Sequence, residues 1–149
     1  MRAVVQRVKW ASVSVDGEIT AKIAEGILVL LGISDNDSEK DMDYIADKCI
    51  NLRIFDDSDG VMNLSLADVG GEVLLVSQFT LYGDARKGRR PSYIRAAKPD
   101  DAKGKFSKTV QAFEKRYDKI KTGVFQAMME VELLNDGPVT ILIDSERGF

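Results

Sequence analysis

The sequence contains no histidine, and it has one cysteine among 149 residues. Without histidine, the chain lacks the usual base of Ser-His and Cys-His nucleophile pairs and the commonest transition-metal ligand. A zinc site would have to be built mainly from carboxylates, which is not how zinc is normally held. We therefore expect the chemistry to use hydroxyls, amides, main-chain groups, carboxylates or groups of the substrate, with no metal and no cofactor.

Cysteine pairs and long apolar runs are also missing. Cys49 has no partner for an internal disulfide, which fits a reducing cytoplasm, and its helical spacing predicts a core residue rather than a nucleophile. No apolar run approaches the roughly 20 residues that cross a bilayer, and residues 1–10 lack the apolar stretch of a secretory signal. The sequence predicts a cytoplasmic, soluble protein with no membrane partner.

Basic residues are concentrated in one segment of an otherwise acidic chain. The net charge is −3, yet residues 84–105 carry eight basic side chains against three acidic ones. A basic segment of this kind suits a ligand with a phosphate backbone, and a solvated loop followed by a helix start is an equally open alternative. Its basic residues are Arg86, Lys87, Arg89, Arg90, Arg95, Lys98, Lys103 and Lys105.

Apolar patterning predicts strands and helices that alternate without a linker, as in one α/β domain over residues 1–149. Ser38 with Asp41 resembles a capping box and predicts a helix start. Pro99 predicts a second helix start, with an apolar face that continues to Ile120. Strands are expected at 2–15, 18–23, 26–33, 52–55, 72–79, 124–134 and 139–143, with a turn at 135–138.

Two polar stretches stand at the ends of predicted strands. Ser77-Gln78-Phe79-Thr80 follows an apolar run, and Asn135-Asp136-Gly137-Pro138 precedes the last strand. Taken alone, the first is an ordinary polar strand end. The second is an ordinary turn, since only about 5–6% of X-Pro bonds are cis.

Together with Arg89-Arg90-Pro91-Ser92-Tyr93 and Gln6-Arg7-Val8, the two stretches resemble the D-aminoacyl-tRNA deacylase family over the whole chain. The resemblance implies a compact α/β fold of mixed β-sheets layered against helices. It also implies a homodimeric esterase that removes D-amino acids, and in many members glycine, from the 3′ end of mischarged tRNA. In that family, a cis Gly-Pro of one subunit enters the pocket of the other and excludes L-residues.

The resemblance implies two groups of site residues, and the basic segment supplies a third. The expected catalytic residues are Ser77, Gln78 and Thr80; the expected substrate-binding residues are Phe79, Phe125, Met129, Gly137 and Pro138; the expected tRNA contacts are Lys87, Arg89 and Arg90.

Thr80 as a nucleophile would need a base, and no histidine, lysine or acid lies within two residues of it. We therefore favour hydrolysis assisted by the 2′-hydroxyl of the terminal ribose, or by a water that it orders. A Thr80 nucleophile is the alternative.

Two functions of other classes remain open at this point. A non-catalytic RNA-binding module would use the same basic segment and Phe79, but aromatic residues make up only 7% of the chain and most have core-like spacing. A carboxylate hydrolase would use Asp56, Asp57 and Asp59, for which the sequence offers no partner cluster elsewhere.

The lack of histidine leads to a prediction about metal. We expect hydrolysis of an aminoacyl-tRNA ester to proceed at an unchanged rate after treatment with EDTA, because no step needs a metal. The rate should be measured with tRNA whose folding is checked separately, since magnesium affects tRNA itself. Activity lost with EDTA and restored specifically by zinc would contradict the expectation.

Overall fold

A computed structural model describes residues 1–148. Its strands are β1 (Arg2–Val15), β2 (Glu18–Ile23), β3 (Gly26–Gly32), β4 (Phe55–Asp56), β5 (Met62–Leu64), β6 (Glu72–Ser77), β7 (Ile120–Thr122) and β8 (Glu130–Asp144). Its helices are α1 (Glu39–Asn51), α2 (Leu66–Val69) and α3 (Pro99–Glu114), with a 3-10 turn at Phe79–Tyr82.

The main sheet is built around the long strand β1. The strand order is β2-β1-β3-β6-β7, and β8 pairs antiparallel with the other edge of β1. The pairs β3–β6 and β6–β7 are parallel, whereas β1 pairs antiparallel with β2 and β3. Both β3 and β6 are almost wholly buried, which explains their uninterrupted apolar sequences.

The core lies on both faces of this sheet. On one face, α1 and α3 cover β1, β3 and β6, and the fully buried Phe113 and Ile45 belong to this cluster. On the opposite face, β2 and the distal half of β1 enclose a smaller cluster with Val13, Leu28 and Val76. The prediction of a strand-rich α/β fold with sheets layered against helices is confirmed.

Local sequence signals gave several element boundaries correctly. Asp41 accepts a hydrogen bond from the Ser38 N–H at 2.8 Å, as the predicted capping box requires. α3 begins at Pro99. Cys49 is buried in the core, and burial raises the pKa of its thiol. Within residues 1–148, no helix is both long enough and apolar enough to cross a membrane.

Other predicted boundaries were wrong. The expected strand at 52–55 is reduced to the two residues of β4, because it pairs only with the short β5. α3 ends at Glu114, so Ile120 belongs to β7 and not to the helix. The strand expected at 72–79 ends at Ser77, where the chain leaves the sheet for the 3-10 turn.

The carboxyl-terminal region also differs from the prediction. Residues 124–129 lie outside the sheet, and residues 130–144 form the single strand β8 rather than two strands joined by a turn. The register with β1 shifts between the pairs Gln6–Thr140 and Val8–Asn135, so residues 136–139 bulge out of the ladder. A bulge accommodates Pro138, which has no N–H to donate to a neighbouring strand.

The close approach of β3 to β6 yields a prediction about stability. A Cβ added at Gly26 would lie 1.9 Å from the Glu72 carbonyl oxygen, so Gly26→Ala should lower the free energy of unfolding by about 3 kcal/mol. Gly104 on α3 has open space around it, and Gly104→Ala should raise that free energy by about 1 kcal/mol. Urea unfolding measures both variants. A Gly26→Ala protein as stable as wild type would contradict this packing.

Candidate active site

The end of β6 forms one wall of the candidate site. The Gln78 N–H donates to the Leu31 carbonyl at 2.8 Å, which is the last contact of the β3–β6 ladder before the 3-10 turn. This turn packs directly on Gly32, where an added Cβ would lie 3.0 Å from the Cβ of Leu81. A glycine at position 32 therefore lets the chain fold back over the end of β3.

A cavity of about 680 Å³ opens beside this turn, a size typical of small-molecule sites. It brings together five of the predicted site residues, and its other lining residues are mostly apolar. Phe125 packs against Phe106 of α3, with ring centroids 5.6 Å apart. The predicted residues in its lining are Ser77, Gln78, Phe79, Phe125 and Met129.

Thr80 lies beside this cavity but does not line it. Its side chain is exposed, and its hydroxyl oxygen accepts a hydrogen bond from the Gln78 side-chain amide. A threonine oxygen in this arrangement acts as an acceptor. Within residues 1–148, the Thr80 hydroxyl has no hydrogen bond to a lysine, a histidine or a carboxylate.

The three predicted tRNA contacts lie on one exposed loop. Asp84 and Ser92 close this loop through two main-chain hydrogen bonds of 2.8 and 2.9 Å. Arg86 forms an ion pair with Asp84 at 2.5 Å, and the hydrogen bonds from Arg86 hold the pKa of the Asp84 carboxyl well below its usual range. Arg86 is thus engaged at the base of the loop, while Lys87, Arg89 and Arg90 face solvent.

Sequence reasoning missed the aromatic and apolar rim of the cavity. Tyr93 lines the cavity and contacts Phe79 edge to face, with ring centroids 5.1 Å apart. Phe79 is 58% exposed and Met128 88%, so large apolar side chains of the cavity lining are open to solvent, and the neighbouring Ile94 is 89% exposed. The Arg-Arg-Pro-Ser-Tyr motif contained the signal for Tyr93, but spacing alone does not show which aromatics are exposed.

The Gly137–Pro138 bulge lies away from the cavity of its own subunit. One row of paired residues crosses the sheet from β6 through β3 and β1 to β8, and consists of Ser77, Leu31, Ala3 and Ile143. The bulge is on β8, the strand at the far end of this row, and is displaced from the row along the strand direction. Within the sheet, three strand pairings and about four residue steps separate it from Ser77. The bulge is therefore not part of the lining of this cavity.

The bulge is anchored from both sides. The Gly137–Pro138 peptide bond is cis, and the φ of Gly137 is +116°, a region that favours glycine. Arg7 is 6% exposed; its guanidinium donates to the Ile54 carbonyl at 2.6 Å and to the Asp136 carbonyl at 3.3 Å. The Asn135 amide donates to the Arg7 and Val139 carbonyls at 2.9 and 3.0 Å.

The acidic cluster at 56–59 does not form a second site. Hydrogen bonds from the main-chain N–H groups of Val61 and Asp59 lower the pKa of the Asp57 carboxyl and fix it within a turn. None of these acids lines the large cavity. In the part of the chain that the structure describes, no group of three or more acidic, cysteine or histidine side chains is arranged to hold a metal ion.

Comparison with known proteins assigns this architecture to a family. The model of the D-Tyr-tRNA(Tyr) deacylase family matches residues 4–144. The chain belongs to this family. It is 60% identical over 149 residues to the D-aminoacyl-tRNA deacylase of Thermoanaerobacter sp. (strain X514), and 57% identical to that of Thermosipho africanus (strain TCF52B), with both chains covered completely in each case.

Solved structures agree with this fold. A protein described as the c-Myc DNA Unwinding Element Binding Protein is 43% identical and has a TM-score of 0.92, with 97% of this chain and 98% of that chain covered. A probable eukaryotic D-amino acid tRNA deacylase has a TM-score of 0.79 at 16% identity, with 95% of this chain and 97% of that chain covered, and so supports the fold alone.

The anchoring of the bulge leads to a prediction about Arg7. Arg7→Met removes the donors to Ile54 and Asp136 and should lower the free energy of unfolding by about 2–3 kcal/mol. Hydrogen exchange at the Gly137 and Val139 amides should become faster. The control is Arg53→Met, which removes an exposed arginine bonded to Asn63 and should change stability by about 0.5 kcal/mol at most. Equal effects of the two substitutions would contradict an anchoring role.

Proposed function

We propose that this chain hydrolyses the ester of D-aminoacyl-tRNA, and of glycyl-tRNA, and releases free tRNA and the amino acid. The observation that carries the proposal is the cavity at the end of β6, where Ser77, Gln78 and Phe79 meet Phe125 and Met129. Family membership and full-length identity to proteins named D-aminoacyl-tRNA deacylase support it. The reaction would take place in the cytoplasm, where tRNA is charged.

The start of the 3-10 turn would stabilise the transition state. The first N–H groups of a helical turn have no acceptor within the turn, and those of Phe79 and Thr80 occupy this position. Attack of water on the ester carbonyl places negative charge on its oxygen, and each main-chain donor aimed at that oxygen contributes about 3 kcal/mol. The bond to the ribose oxygen then breaks, and that oxygen takes up the proton released by the water.

Substrate assistance would supply the missing base. The hydrogen bond from Gln78 engages the Thr80 oxygen as an acceptor, and the protein has no histidine that could activate this hydroxyl. The vicinal 2′-hydroxyl of the terminal ribose lies next to the scissile ester in every substrate. In this mechanism it orders the attacking water, while Thr80 and Gln78 keep the turn in shape.

A homodimer would complete the site. The Gly137–Pro138 bulge does not line the cavity of its own subunit, so we place it at the cavity of another subunit. A two-fold axis would place each bulge in the cavity of the partner. The exposed Phe79 and Met128 at the cavity, together with the exposed Ile94, Leu134 and Leu142, provide apolar surface for such an interface.

The bulge would select for chirality by excluded volume. An L-residue and its D-enantiomer differ by exchange of the hydrogen and the side chain on one carbon. A main-chain wall in the volume of the L side chain rejects every L-residue, whatever its chemistry, and Pro138 stiffens such a wall because its φ is fixed. Glycine has no side chain to clash and would pass. The anchoring by Arg7 and Asn135 supports a wall that does not yield.

The mechanism predicts different outcomes for changes in Thr80 and in the ribose. Thr80→Ala should keep at least about a tenth of the D-tyrosyl-tRNA deacylation rate, because positioning is shared with Gln78. A substrate ending in 2′-deoxyadenosine should react at least about 100-fold more slowly, the usual scale of a lost acid–base group. L-tyrosyl-tRNA serves as the control for chirality. A Thr80→Ala enzyme that binds tRNA normally but is inactive, or a trapped acyl-threonine, would instead establish covalent catalysis.

The basic loop predicts a salt dependence. Replacing Lys87, Arg89 and Arg90 with alanine should weaken tRNA binding and flatten the plot of log affinity against log salt. Each lost phosphate contact should change the slope by about 0.7–0.9. The control triple variant, with alanine at Lys22, Lys40 and Lys115, removes the same charge from other exposed positions.

Two outcomes decide this prediction. Equal slopes for the two triple variants would assign the loop residues to a solvated surface. Single-stranded DNA should be tested beside tRNA, because a structural relative is named for DNA binding. Binding of DNA as tight as that of tRNA, without deacylation, would favour a nucleic-acid-binding module instead.

A further inference from the structure

The segment that follows β8 contacts the 3-10 turn through two arginines. Asp144 forms an ion pair with Arg2, with Oδ2 and Nε 3.4 Å apart, and Glu146 forms one with Arg95 at 3.0 Å. Both arginines lie against the ring of Tyr82, the last residue of the turn, at 4.8 and 5.7 Å from its centroid. The turn is therefore connected to the carboxyl-terminal segment from two sides.

Strand pairing explains how Arg2 reaches the turn. Asp144, Arg2 and Gly32 are direct neighbours across β8, β1 and β3. Because Gly32 has no side chain, the turn lies over it and brings the Leu81 carbonyl within 3.0 Å of Arg2 Nη1, which donates to it. Arg2 thus holds a main-chain atom of the turn and not only a side chain.

The partners of Arg2 are themselves immobilised. The Asp144 side chain is 2% exposed, and its Oδ1 accepts a hydrogen bond from the Glu146 N–H at 3.0 Å. The Ser145 N–H donates to the Met1 carbonyl at 2.9 Å, and the Arg147 N–H donates to the Asp144 carbonyl at 3.0 Å. The Asp144 carboxylate that pairs with Arg2 is therefore buried and held in a fixed position, whereas the Arg95–Glu146 pair is exposed.

Tyr82 provides the second contact surface. Its side chain is buried, and burial, with a contribution from the negative charge of Asp37, raises the pKa of the phenol to about 12. The ring is therefore neutral at physiological pH, with Arg2 and Arg95 each close enough for cation–π attraction. Such contacts resist movement of the turn along the sheet.

We propose that Arg2 is a positioning residue for the hydrolytic turn, held in place by Asp144 and by the Tyr82 ring. Arg2 does not line the cavity; it fixes the Leu81 carbonyl, and through it the N–H groups of Phe79 and Thr80. The consequence for the reaction rests on the proposed function. A shift of about 1 Å in such donors can lower the rate about 100-fold. The contacts of Arg2 with Leu81, Asp144 and Tyr82, which we call the Arg2 brace, would prevent such a shift.

Single-turnover deacylation of D-tyrosyl-tRNA with excess enzyme tests the proposal. Arg2→Met should lower the maximal rate by about 10- to 100-fold and leave the Kd for the tRNA within about twofold. Arg2→Lys, which can still donate to Leu81 or pair with Asp144, should recover part of the rate. Asp144→Asn should fall between Arg2→Met and wild type. Arg53→Met, an exposed arginine outside the site, should behave as wild type.

Hydrogen exchange gives a readout that does not depend on activity. Arg2→Met should speed exchange at residues 79–83, while the β3 and β6 amides stay protected. If Arg2→Met does not fold, Glu146→Gln perturbs the same brace from the exposed side and should produce a smaller change at the same residues. The proposal would be overturned if Arg2→Met kept a maximal rate within about twofold of wild type, or if its affinity for tRNA fell by the same factor as its rate. Hydrogen exchange that became faster uniformly over the whole protein would also overturn it.

The two hypotheses fail separately. A wild-type enzyme without activity on any D-aminoacyl-tRNA would overturn the proposed function, and the exchange data would still decide whether Arg2 braces the turn. An active wild type with an unaltered turn in Arg2→Met would overturn the brace alone.

Discussion

Strand β1 is hydrogen-bonded on both edges, and this double pairing determines where the cavity and the bulge can lie. On one edge, β1 pairs with β3, which leads to β6 and the cavity. On the other edge, it pairs with β8, which carries Gly137 and Pro138. The two chemical motifs are thus held rigidly apart within a subunit. In the proposed mechanism, the bulge and the cavity form one site only if two subunits exchange them.

The same sheet underlies the mechanism that we propose for ester cleavage by a protein without histidine. An ester is already an activated acyl donor, so the largest contribution required is stabilisation of the developing oxyanion. Main-chain N–H groups become available where β6 leaves the ladder, and Gly32 allows the turn to pack tightly there. Arg2 donates to the Leu81 carbonyl of this turn and lies against the Tyr82 ring, and we propose that these contacts hold the N–H groups in position. In the proposed mechanism, rigidity of the main chain takes the role that a charged side chain has in other hydrolases.

Local motifs predicted which residues line the cavity better than they predicted the boundaries of the strands. The polar residues after β6 were predicted as a site because a buried strand that ends in hydroxyls and an amide exposes donors. The bulge at 136–139 was mistaken for a turn between strands, because Gly137 and Pro138 favour both and only pairing with β1 distinguishes them. Tyr93 and Ile94 were missed because the sequence does not encode which apolar residues remain exposed. The separation of bulge and cavity depends on the register of four strands, which no local pattern contains.

Activity of a mixed dimer tests the shared site most directly. Ala96→Trp would fill the cavity of one chain, and Gly137→Leu would distort the bulge of the other, where an added Cβ already meets Val139 Cγ2 at 2.7 Å. Each homodimer should be inactive. A heterodimer purified through two different tags keeps one intact cavity facing one intact bulge, and should deacylate D-tyrosyl-tRNA at about half the wild-type rate. An inactive heterodimer, or a fully active monomer, would contradict a site shared between subunits.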